Sequence, residues 1–517
     1  MPTYGGGTEI NMVAELNSCA VIGIGAQMVK VEMDFVEGVP DFQIVGLGDT
    51  AVKESRERVK AALKNAYIEL PTKCYVANLA PADMKKEGSF YDLPLAIAAA
   101  FCSGKIKSTD LSDAMFLGEL SLKGEIRPVH GVLPAAICAK ENGIKRLFVP
   151  DANKQEAAVV EGLDVYPCKS LTAVLEHITG VGVIDIYKSD QNELCFRGDE
   201  YTLDFADVKG QTASKWALEV AAAGGHNVIM TGSPGAGKTM LAKRIPSIMP
   251  DLTFEEAIEI TKVHSVAGTL PENTALLKTR PFRNPHHTVS SAGLAGGGSV
   301  PKPGEISLAH NGVLFLDEFP EFRRDAVEIL RQPMENGSIT VSRSRATVTY
   351  PSNFMLVAAT NPCPCGFLND PVHECTCSQA AIERYKNKIS GPVLDRIDIQ
   401  IDVEPVAFDS LSTKTKAESS KSVRERVNRA RRIQLERFKG TDVYCNANMT
   451  EQMLEKYCAL DNEGKAIFKL AFEKLGMSAR GYSRILKVAR TIADLSGCEN
   501  ITKDHIMQAL RLRKSEK

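Results

Sequence analysis

The sequence lacks the features that would assign the protein to a membrane, to the cell exterior or to nucleic acid as a whole. Its 517 residues carry 62 Lys and Arg against 64 Asp and Glu, so no global positive field attracts polyanions. No apolar run approaches the roughly 18 residues of a membrane span, and no charged and then apolar signal pattern opens the chain. We therefore expect a cytoplasmic protein without membrane contact, whose contacts with any polyanion are local.

A disulfide framework is not indicated either, because the 13 cysteines occur in a long chain without a secretory signal. The chain is also too long for one hydrophobic core, since single cores stop growing at about 250 to 300 residues. Periodicity and composition predict a flexible glycine-rich leader at 1–19, an α/β domain at 20–185, a second α/β domain with a parallel sheet at 200–405 and a helical domain at 406–517. The polar stretch at 188–199 is interpreted as a linker.

The most informative motif is a glycine-rich segment between an apolar strand and a helix. It comprises Gly232, Ser233, Pro234, Gly235, Ala236, Gly237, Lys238 and Thr239, followed by Met240. Gly-x-x-x-x-Gly-Lys-Thr is typical of a P-loop, in which backbone N–H groups and a helix N-terminus bind a triphosphate while the lysine neutralises its outer phosphates. We predict that this segment binds ATP.

Two acidic residues end another apolar strand. Asp317 and Glu318 follow Val313 to Leu316, which puts both carboxylates at the carboxyl end of a buried strand, where α/β sheets bind their ligands. Together with the P-loop they predict an ATPase. In this interpretation Asp317 and the Thr239 hydroxyl bind Mg²⁺, and Glu318 polarises the attacking water.

The order of the later motifs resembles an AAA+ ATPase. A third apolar strand ends at Asn361, and Arg396 precedes a fourth. The resemblance implies that Asn361 is sensor 1, that Arg396 is an arginine finger reaching a neighbouring subunit's nucleotide, and that Arg480, with Arg484 as the alternative, is the second sensor that contacts phosphate. Outside that context Asn361 is a turn residue and Arg396 a surface ion-pair partner. A finger acting in trans requires a ring, and the class implies a hexamer.

The resemblance narrows to the magnesium-chelatase-like AAA+ proteins of the ComM and YifB family. The segments that carry it are Pro285 to Ser290, Gly304 to Glu318, Asn361 to Gly366 and Gly391 to Asp398, with Asp41 to Leu47, Ala51 to Val59 and Asn78 to Pro94 nearer the start. It covers nearly the whole chain after the leader. It implies a hexameric motor that drives branch migration of DNA in recombination and natural transformation.

Three basic segments are candidates for DNA contact. Ser338 to Tyr350 alternates like a β-hairpin with Arg343 and Arg345 at its tip, and related ATPases have such a hairpin in the ring's pore. The insert at 280–302 adds bases beside a triple glycine, namely Arg280, Arg283, His286, His287 and Lys302. The stretch at 411–440 has ten basic residues against three glutamates, which predicts a second polyanion contact. The alternatives are a solvated hairpin, a mobile loop and a solvated helix face.

Four cysteines form a separate cluster: Cys363, Cys365, Cys375 and Cys377. Four thiolates from two short loops can close a tetrahedral zinc site and pin an insertion directly after Asn361. Because Cys-x-Cys is tighter than the usual zinc spacing, three alternatives stay open: reduced loop thiols, an iron–sulfur cluster, or His373 replacing one ligand.

Two rival functions also stay open. The segments at 118–132 and 143–150 resemble the proteolytic domain of Lon, which uses a serine–lysine dyad. Where Lon has its lysine, this chain has Leu133 and Pro134 after His130, and Ser89 has no nearby amine to activate it, so we expect a protease-like fold without proteolysis. The second rival is a chelatase-type motor that remodels a protein partner. The Lon-like domain and the cysteine insert argue against that rival.

Overall fold

The computed structural model describes residues 13–36, 38–86, 88–104, 106, 109–189, 201–298, 301–343, 346–370, 373–405, 417–475 and 478–513. Most of the predicted linker at 188–199, the first part of the predicted leader, and Arg345 lie outside these residues. The described residues form two compact units. One comprises residues up to 189 together with Thr261–Leu277, and the other comprises residues 201–260 and those from 278 on.

The first unit contains a seven-stranded mixed sheet with the order β3-β4-β2-β1-β5-β8-β9. The strands are β1 (Ala14–Ile22), β2 (Gly25–Val36), β3 (Asp41–Val45), β4 (Cys74–Ala80), β5 (Ala114–Phe116), β6 (Glu119–Leu120), β7 (Ile126–Arg127), β8 (Arg146–Pro150) and β9 (Asp164–Cys168). The helices are α1 (Thr50–Asn65), α2 (Asp92–Cys102), α3 (Val132–Glu141), α4 (Lys154–Ala157) and α5 (Leu171–Ile178). Helix α2 has no polar face, as expected of a helix that is buried all round.

The boundary of the predicted leader needs correction. Strand β1 begins at Ala14, and its residues pair antiparallel with β2, so that Leu16 lies opposite Val31. Both side chains are buried in the core of the unit. The segment 14–19 is therefore part of the sheet, because its apolar side chains Ala14, Leu16 and Cys19 pack in the core.

The second unit contains a five-stranded parallel sheet with the order β11-β14-β17-β10-β18. These strands are β10 (Val228–Thr231), β11 (Phe282–Arg283), β14 (Val313–Leu316), β17 (Met355–Thr360) and β18 (Ile399–Asp402), and two small antiparallel pairs are β12 (Gly296–Gly297) with β13 (Lys302–Pro303) and β15 (Ser338–Arg343) with β16 (Ala346–Pro351). Strands β14 and β17 are buried along their whole length, which explains their uninterrupted apolar sequences. The fold is an α/β fold consistent with a P-loop AAA+ core.

Helices complete the second unit. They are α6 (Thr212–Gly224), α7 (Lys238–Ala242), α8 (Phe254–Ala267, which continues into the segment grouped with the first unit), α9 (Ser291–Ala295), α10 (Glu305–Leu308), α11 (Arg324–Glu328), α12 (Arg331–Asn336), α13 (Gln379–Lys386), α14 (Gly391–Leu394), α15 (Ser420–Arg437), α16 (Glu451–Tyr457), α17 (Asn462–Leu475), α18 (Ala479–Leu495) and α19 (Lys503–Arg511). Apolar residues of α15, α18 and α19 belong to the same buried cluster as those of β10 and β17. The C-terminal helices therefore share one core with the parallel sheet. No helix among the described residues is both long and apolar enough to cross a bilayer.

Part of the positive charge that predicted a polyanion contact at 411–440 is used within the fold, on the basic helix α15. Four of its arginines bind groups within the same unit: Arg424 pairs with Asp251, Arg426 with Glu219, Arg431 with the carbonyls of Ala222 and Ala223, and Arg437 with Asp494. Asp251, Glu219 and Asp494 lie far away along the chain, which is why the local charge balance overstated the free positive charge, although Arg429 and Arg432 are exposed. These arginines attach the helix to its own core.

Candidate nucleotide site

The P-loop connects the carboxyl end of β10 to α7 and depends on three glycines. Gly235 and Gly237 have φ values of +79° and +96°, in the left-handed region that side chains disfavour. At Gly232 a Cβ would lie 2.4 Å from the carbonyl oxygen of Val403. The loop can therefore keep this tight path only with glycine at these positions, and it ends at a helix N-terminus suited to phosphate.

The amine of Lys238 lies at the centre of the site. It donates hydrogen bonds to the carbonyl oxygens of Gly232 and Ser233, at 2.7 and 3.0 Å, and to Oδ1 of Asn361 at 3.1 Å. Burial lowers the pKa of Lys238, and the charges of Asp317 and Glu318 oppose that effect. The lysine thus links the P-loop to the end of β17 and brings the predicted sensor residue Asn361 into the site.

The side chains predicted to bind magnesium are also adjacent. The Thr239 hydroxyl donates to Oδ2 of Asp317 at 2.7 Å, and Oδ1 of Asp317 accepts the backbone N–H of Glu318 at 3.0 Å. A hydroxyl and a carboxylate that meet in this way are the oxygen donors that Mg²⁺ prefers. The donor set fits the cation that accompanies a nucleoside triphosphate.

Glu318 has a partner that the sequence did not reveal. Its backbone is left-handed, at φ 51° and ψ 46°, and 57% of its side chain is exposed. Nδ1 of His287 lies 3.4 Å from Oε2 of Glu318. The sequence analysis counted His287 only among the bases of an insert, and its position after β11, a neighbour of β14 in the sheet, was the signal that could have indicated this contact.

The four predicted metal-ligating cysteines are brought together directly after Asn361. Their Sγ atoms all lie within 4.8 Å of one another, with 3.3 Å between Cys363 and Cys365 and 3.7 Å between Cys363 and Cys375, and Cys377 completes the group. His373 is not among them: its ring is exposed and lies 3.3 Å from the Asp370 carboxylate. The described residues therefore offer a site for one metal ion with four sulfur ligands.

The structure does not bring Arg396 and Arg480 to the P-loop of their own chain. Both line a cavity of about 890 Å³ together with Asn227, Asn353 and Asp398, which precede β10, β17 and β18. This cavity lies at the amino ends of the strands, opposite the edge that carries the P-loop. Arg396 is 8% exposed, pairs with Glu335 and donates to the Pro392 carbonyl. Burial lowers the pKa of both Arg396 and Arg484, the alternative second sensor, in the same cavity.

The residues predicted to contact DNA separate into two groups. The predicted hairpin is formed by β15 and β16, and Arg343, at the end of β15, lies beside Gly297, whose register partner is Lys302. Tyr350 ties the two hairpins together by donating to the Pro301 carbonyl at 2.5 Å. Arg283, in contrast, pairs with both carboxylate oxygens of Glu305, at 2.7 and 2.8 Å. Arg343 and Lys302 thus form one basic surface, and Arg283 is neutralised within the fold.

Arg280 needs correction as a residue of the basic insert. Its side chain is buried, and it donates to the carbonyls of Pro250 and Asn311 and to the carboxylate of Glu256. These partners occupy its guanidinium inside the unit. Arg280 therefore stabilises the fold and cannot contact a polyanion.

The region around Ser89 in the first unit contains no serine–lysine dyad among the described residues. The buried amine of Lys86 donates to the Pro81 carbonyl, and burial lowers its pKa. Asp92 is also buried, and it accepts hydrogen bonds from Arg58 at 2.6 and 3.0 Å. The charged groups near Ser89 are thus engaged with one another and with the backbone.

The fold and the geometry of the site are those of an α/β protein consistent with a P-loop AAA+ core. Three family models cover most of the chain: "Magnesium chelatase, subunit ChlI" matches residues 204–411, "Subunit ChlI of Mg-chelatase" matches 31–153, and "Magnesium chelatase, subunit ChlI C-terminal" matches 417–513. The chain is 42% identical to the competence protein ComM of Haemophilus influenzae over 97% of both chains, and 40% identical to the uncharacterized protein YifB of Escherichia coli over 96% of both. It is 29% identical to the magnesium-chelatase 67 kDa subunit of Chlorobaculum parvum over 31% of this chain and 23% of that protein.

The chain therefore belongs to the magnesium-chelatase-like family of ComM and YifB. The two full-length matches extend over the P-loop and the cysteine cluster, whereas the match to the 67 kDa subunit spans less than a third of the chain. The predicted family resemblance is confirmed.

The first prediction concerns the lysine at the centre of the site. We expect Lys238→Ala to weaken binding of Mg²⁺-ATP about tenfold to a hundredfold, because it removes a charge-assisted contact to phosphate. Isothermal titration calorimetry of the full chain measures this effect. Lys243→Ala is the matched control, because Lys243 is exposed just after the same helix. Equal affinity of the two variants would contradict the assignment of Lys238.

Proposed function

We propose that this protein hydrolyses ATP and uses the energy to move DNA. The observation that carries the proposal is the meeting of Lys238, Thr239, Asp317 and Asn361 at the carboxyl ends of neighbouring parallel strands. The P-loop and Lys238 bind the phosphates, and Asn361 orients the terminal phosphate and the water. Glu318 accepts the proton of the attacking water. Bound Mg²⁺ supplies charge neutralisation at the phosphates, next to Thr239 and Asp317.

The proposed enzyme acts as a homo-oligomeric ring, with a hexamer as the expected form. Arg396 and Arg480 lie at the edge of the sheet opposite the P-loop, so within one chain they cannot contact the phosphates that the P-loop binds. A neighbouring copy arranged head to tail would receive both guanidiniums at its own P-loop. We therefore assign Arg396 as the arginine finger and Arg480 as a second phosphate contact, both acting on the neighbour's nucleotide.

The proposed substrate is branched or single-stranded DNA in the cytoplasm. The surface formed by Arg343 and Lys302 supports it, because two adjoining hairpins present cations together without an acidic partner among the described residues. The similarity to a competence protein also supports it, and a role in recombination or natural transformation follows.

A chelatase-type motor remains the alternative. A Lon-like protease is disfavoured, because no lysine amine bonds Ser89 among the described residues and the amine of Lys86 donates to the Pro81 carbonyl.

We further propose that the four cysteines bind structural zinc. Thiolates on a tetrahedral zinc ion, with bonds of about 2.3 Å, lie about 3.8 Å apart. The Sγ separations of 3.3, 3.6 and 3.7 Å within the cluster approach that geometry, whereas a disulfide would need about 2.05 Å. An iron–sulfur cluster would hold its ligands much farther apart, because the cluster itself separates them.

The DNA surface has a direct test. We expect wild-type ATP hydrolysis to rise when forked or four-way DNA is added, and the double variant Arg343→Ala with Arg345→Ala to lose this stimulation while keeping basal hydrolysis. Lys503→Ala is the matched control, because it removes an exposed cation from α19. Full stimulation of the double variant would show that DNA binds elsewhere, and stimulation by a chelatase partner alone would favour the alternative function.

The trans arrangement has a separate test. Arg396→Ala and Lys238→Ala should each abolish hydrolysis, and an equal mixture should recover about a quarter of wild-type activity, because one interface in four then joins an intact P-loop to an intact finger. Mass photometry should first establish that the variants assemble together. Mixed rings without recovered activity would contradict the assignment.

The contact between His287 and Glu318 generates a third test. We expect His287→Ala to lower kcat several-fold with little change in KM, because a half-exposed carboxylate that loses an orienting contact is less often positioned for proton transfer. His177→Ala is the control, since Nδ1 of His177 accepts a hydrogen bond from the N–H of Ile184 within the first unit. Steady-state ATPase kinetics of both variants measure the difference, and equal kcat values would mean that His287 does not orient Glu318.

A further inference from the structure

The cysteine cluster is joined to the nucleotide site by the turn that carries its first two cysteines, Cys363 and Cys365. Asn361, which accepts a hydrogen bond from the Lys238 amine, lies two residues before Cys363. The N–H of Gly366 donates to the Cys363 carbonyl at 3.0 Å and closes a turn. This turn, from Cys363 to Gly366, leads directly from a phosphate-site residue into the metal site.

The same turn packs against the P-loop. Gly366 has a φ of +87°, and a Cβ there would lie 2.6 Å from Cδ of Pro234. The backbone of Gly366 therefore rests on the Pro234 ring, at the tip of the loop that holds the phosphates. The segment 361–366 contacts the P-loop at two points, once through Asn361 and Lys238 and once through Gly366 and Pro234.

The second cysteine pair, Cys375 and Cys377, holds this turn in place through contacts with Cys365. The N–H of Cys365 donates to Sγ of Cys377 at 3.4 Å, and Sγ of Cys375 lies 3.6 Å from Sγ of Cys365. Thiolates this close repel one another unless a cation joins them, and a cation that joins them closes the loop between the two pairs. The position of the turn, and with it that of Asn361 and Pro234, then depends on the metal.

We propose that the four-cysteine zinc site is a positioning element of the nucleotide site, holding Asn361 and Pro234 against bound phosphate. The inference rests on the zinc assignment made above, and it gives the metal a role beyond local folding. The cysteines do not touch the nucleotide. They act through the turn, so loss of zinc weakens phosphate binding and slows hydrolysis while the P-loop sequence is intact.

The test compares two variants of the full chain with one control. Cys375→Ser removes a ligand, Gly366→Ala keeps all four thiols but crowds Pro234, and Cys498→Ser removes an exposed thiol outside the cluster. We expect about one zinc per chain in the wild type, Gly366→Ala and Cys498→Ser, and none in Cys375→Ser. Metal analysis by mass spectrometry measures zinc and iron together, and stoichiometric iron would overturn the assignment.

Nucleotide binding and turnover then test the positioning role. We expect Cys375→Ser and Gly366→Ala to lower kcat about tenfold to a hundredfold and to weaken binding of a fluorescent ATP analogue, because small displacements at a reacting centre have effects of this size. Cys498→Ser should match the wild type. Zinc-free Cys375→Ser with wild-type kcat and affinity would overturn the inference.

Two further measurements decide the positioning role if a variant does not fold or if the wild type is not an ATPase. If Cys375→Ser does not fold, the wild type can be stripped with an organomercurial and a chelator: weaker analogue binding that zinc restores supports the inference, and unchanged binding overturns it. If the wild type hydrolyses no ATP, the proposed ATPase function fails, and the analogue-binding measurement still decides the positioning role.

Discussion

The site depends on one constraint, the parallel order of the central sheet. Because β17 lies between β14 and β10, the residue that follows it stands between the acidic pair and the P-loop. Asn361 can therefore accept the Lys238 amine while Thr239 meets Asp317. If one of these three strands ran antiparallel to the others, the residue that follows it would lie at the opposite end of the strands. For a strand of four residues that end is about 13 Å away. The chemistry requires that all three carboxyl ends meet.

The buried position of the Lys238 amine favours the binding of phosphate. Removing an ammonium group from water is costly, and three neutral oxygen acceptors offset only part of that cost, which is why burial lowers the pKa of this lysine. A polyphosphate adds negative charge in direct contact with the amine, whose three hydrogen-bond acceptors are neutral. The same hydrogen bonds tie the loop to the end of β17, which reduces the ordering that phosphate binding requires.

The parts of the site that could be predicted from sequence are those encoded by contiguous residues. The P-loop, the acidic pair and the hairpin each consist of a strand or helix and the residues at its end. The periodicity of apolar residues indicates the strand or helix and the point where it ends. The position of Arg480 could not be predicted, because it depends on how α18 packs against α6, a contact between segments more than 250 residues apart. The contact between His287 and Glu318 was hidden as well, because it depends on β11 lying next to β14 in the sheet. Local patterns indicate where an element ends and not which charge it will face.

Ion pairs between distant segments also explain why the net charge of the chain does not predict which basic side chains are free to bind a polyanion. Arg424, Arg426 and Arg437 of α15 find acidic partners in α6, α18 and the segment before α8, so this basic helix contributes less free positive charge than its sequence indicates. Arg283 is neutralised in the same way by Glu305. The adjoining hairpins of Arg343 and Lys302 are different, because both side chains are exposed and neither has an acidic partner among the described residues. A nearly neutral chain can therefore present a local cationic surface, and topology decides which cations are available to a polyanion.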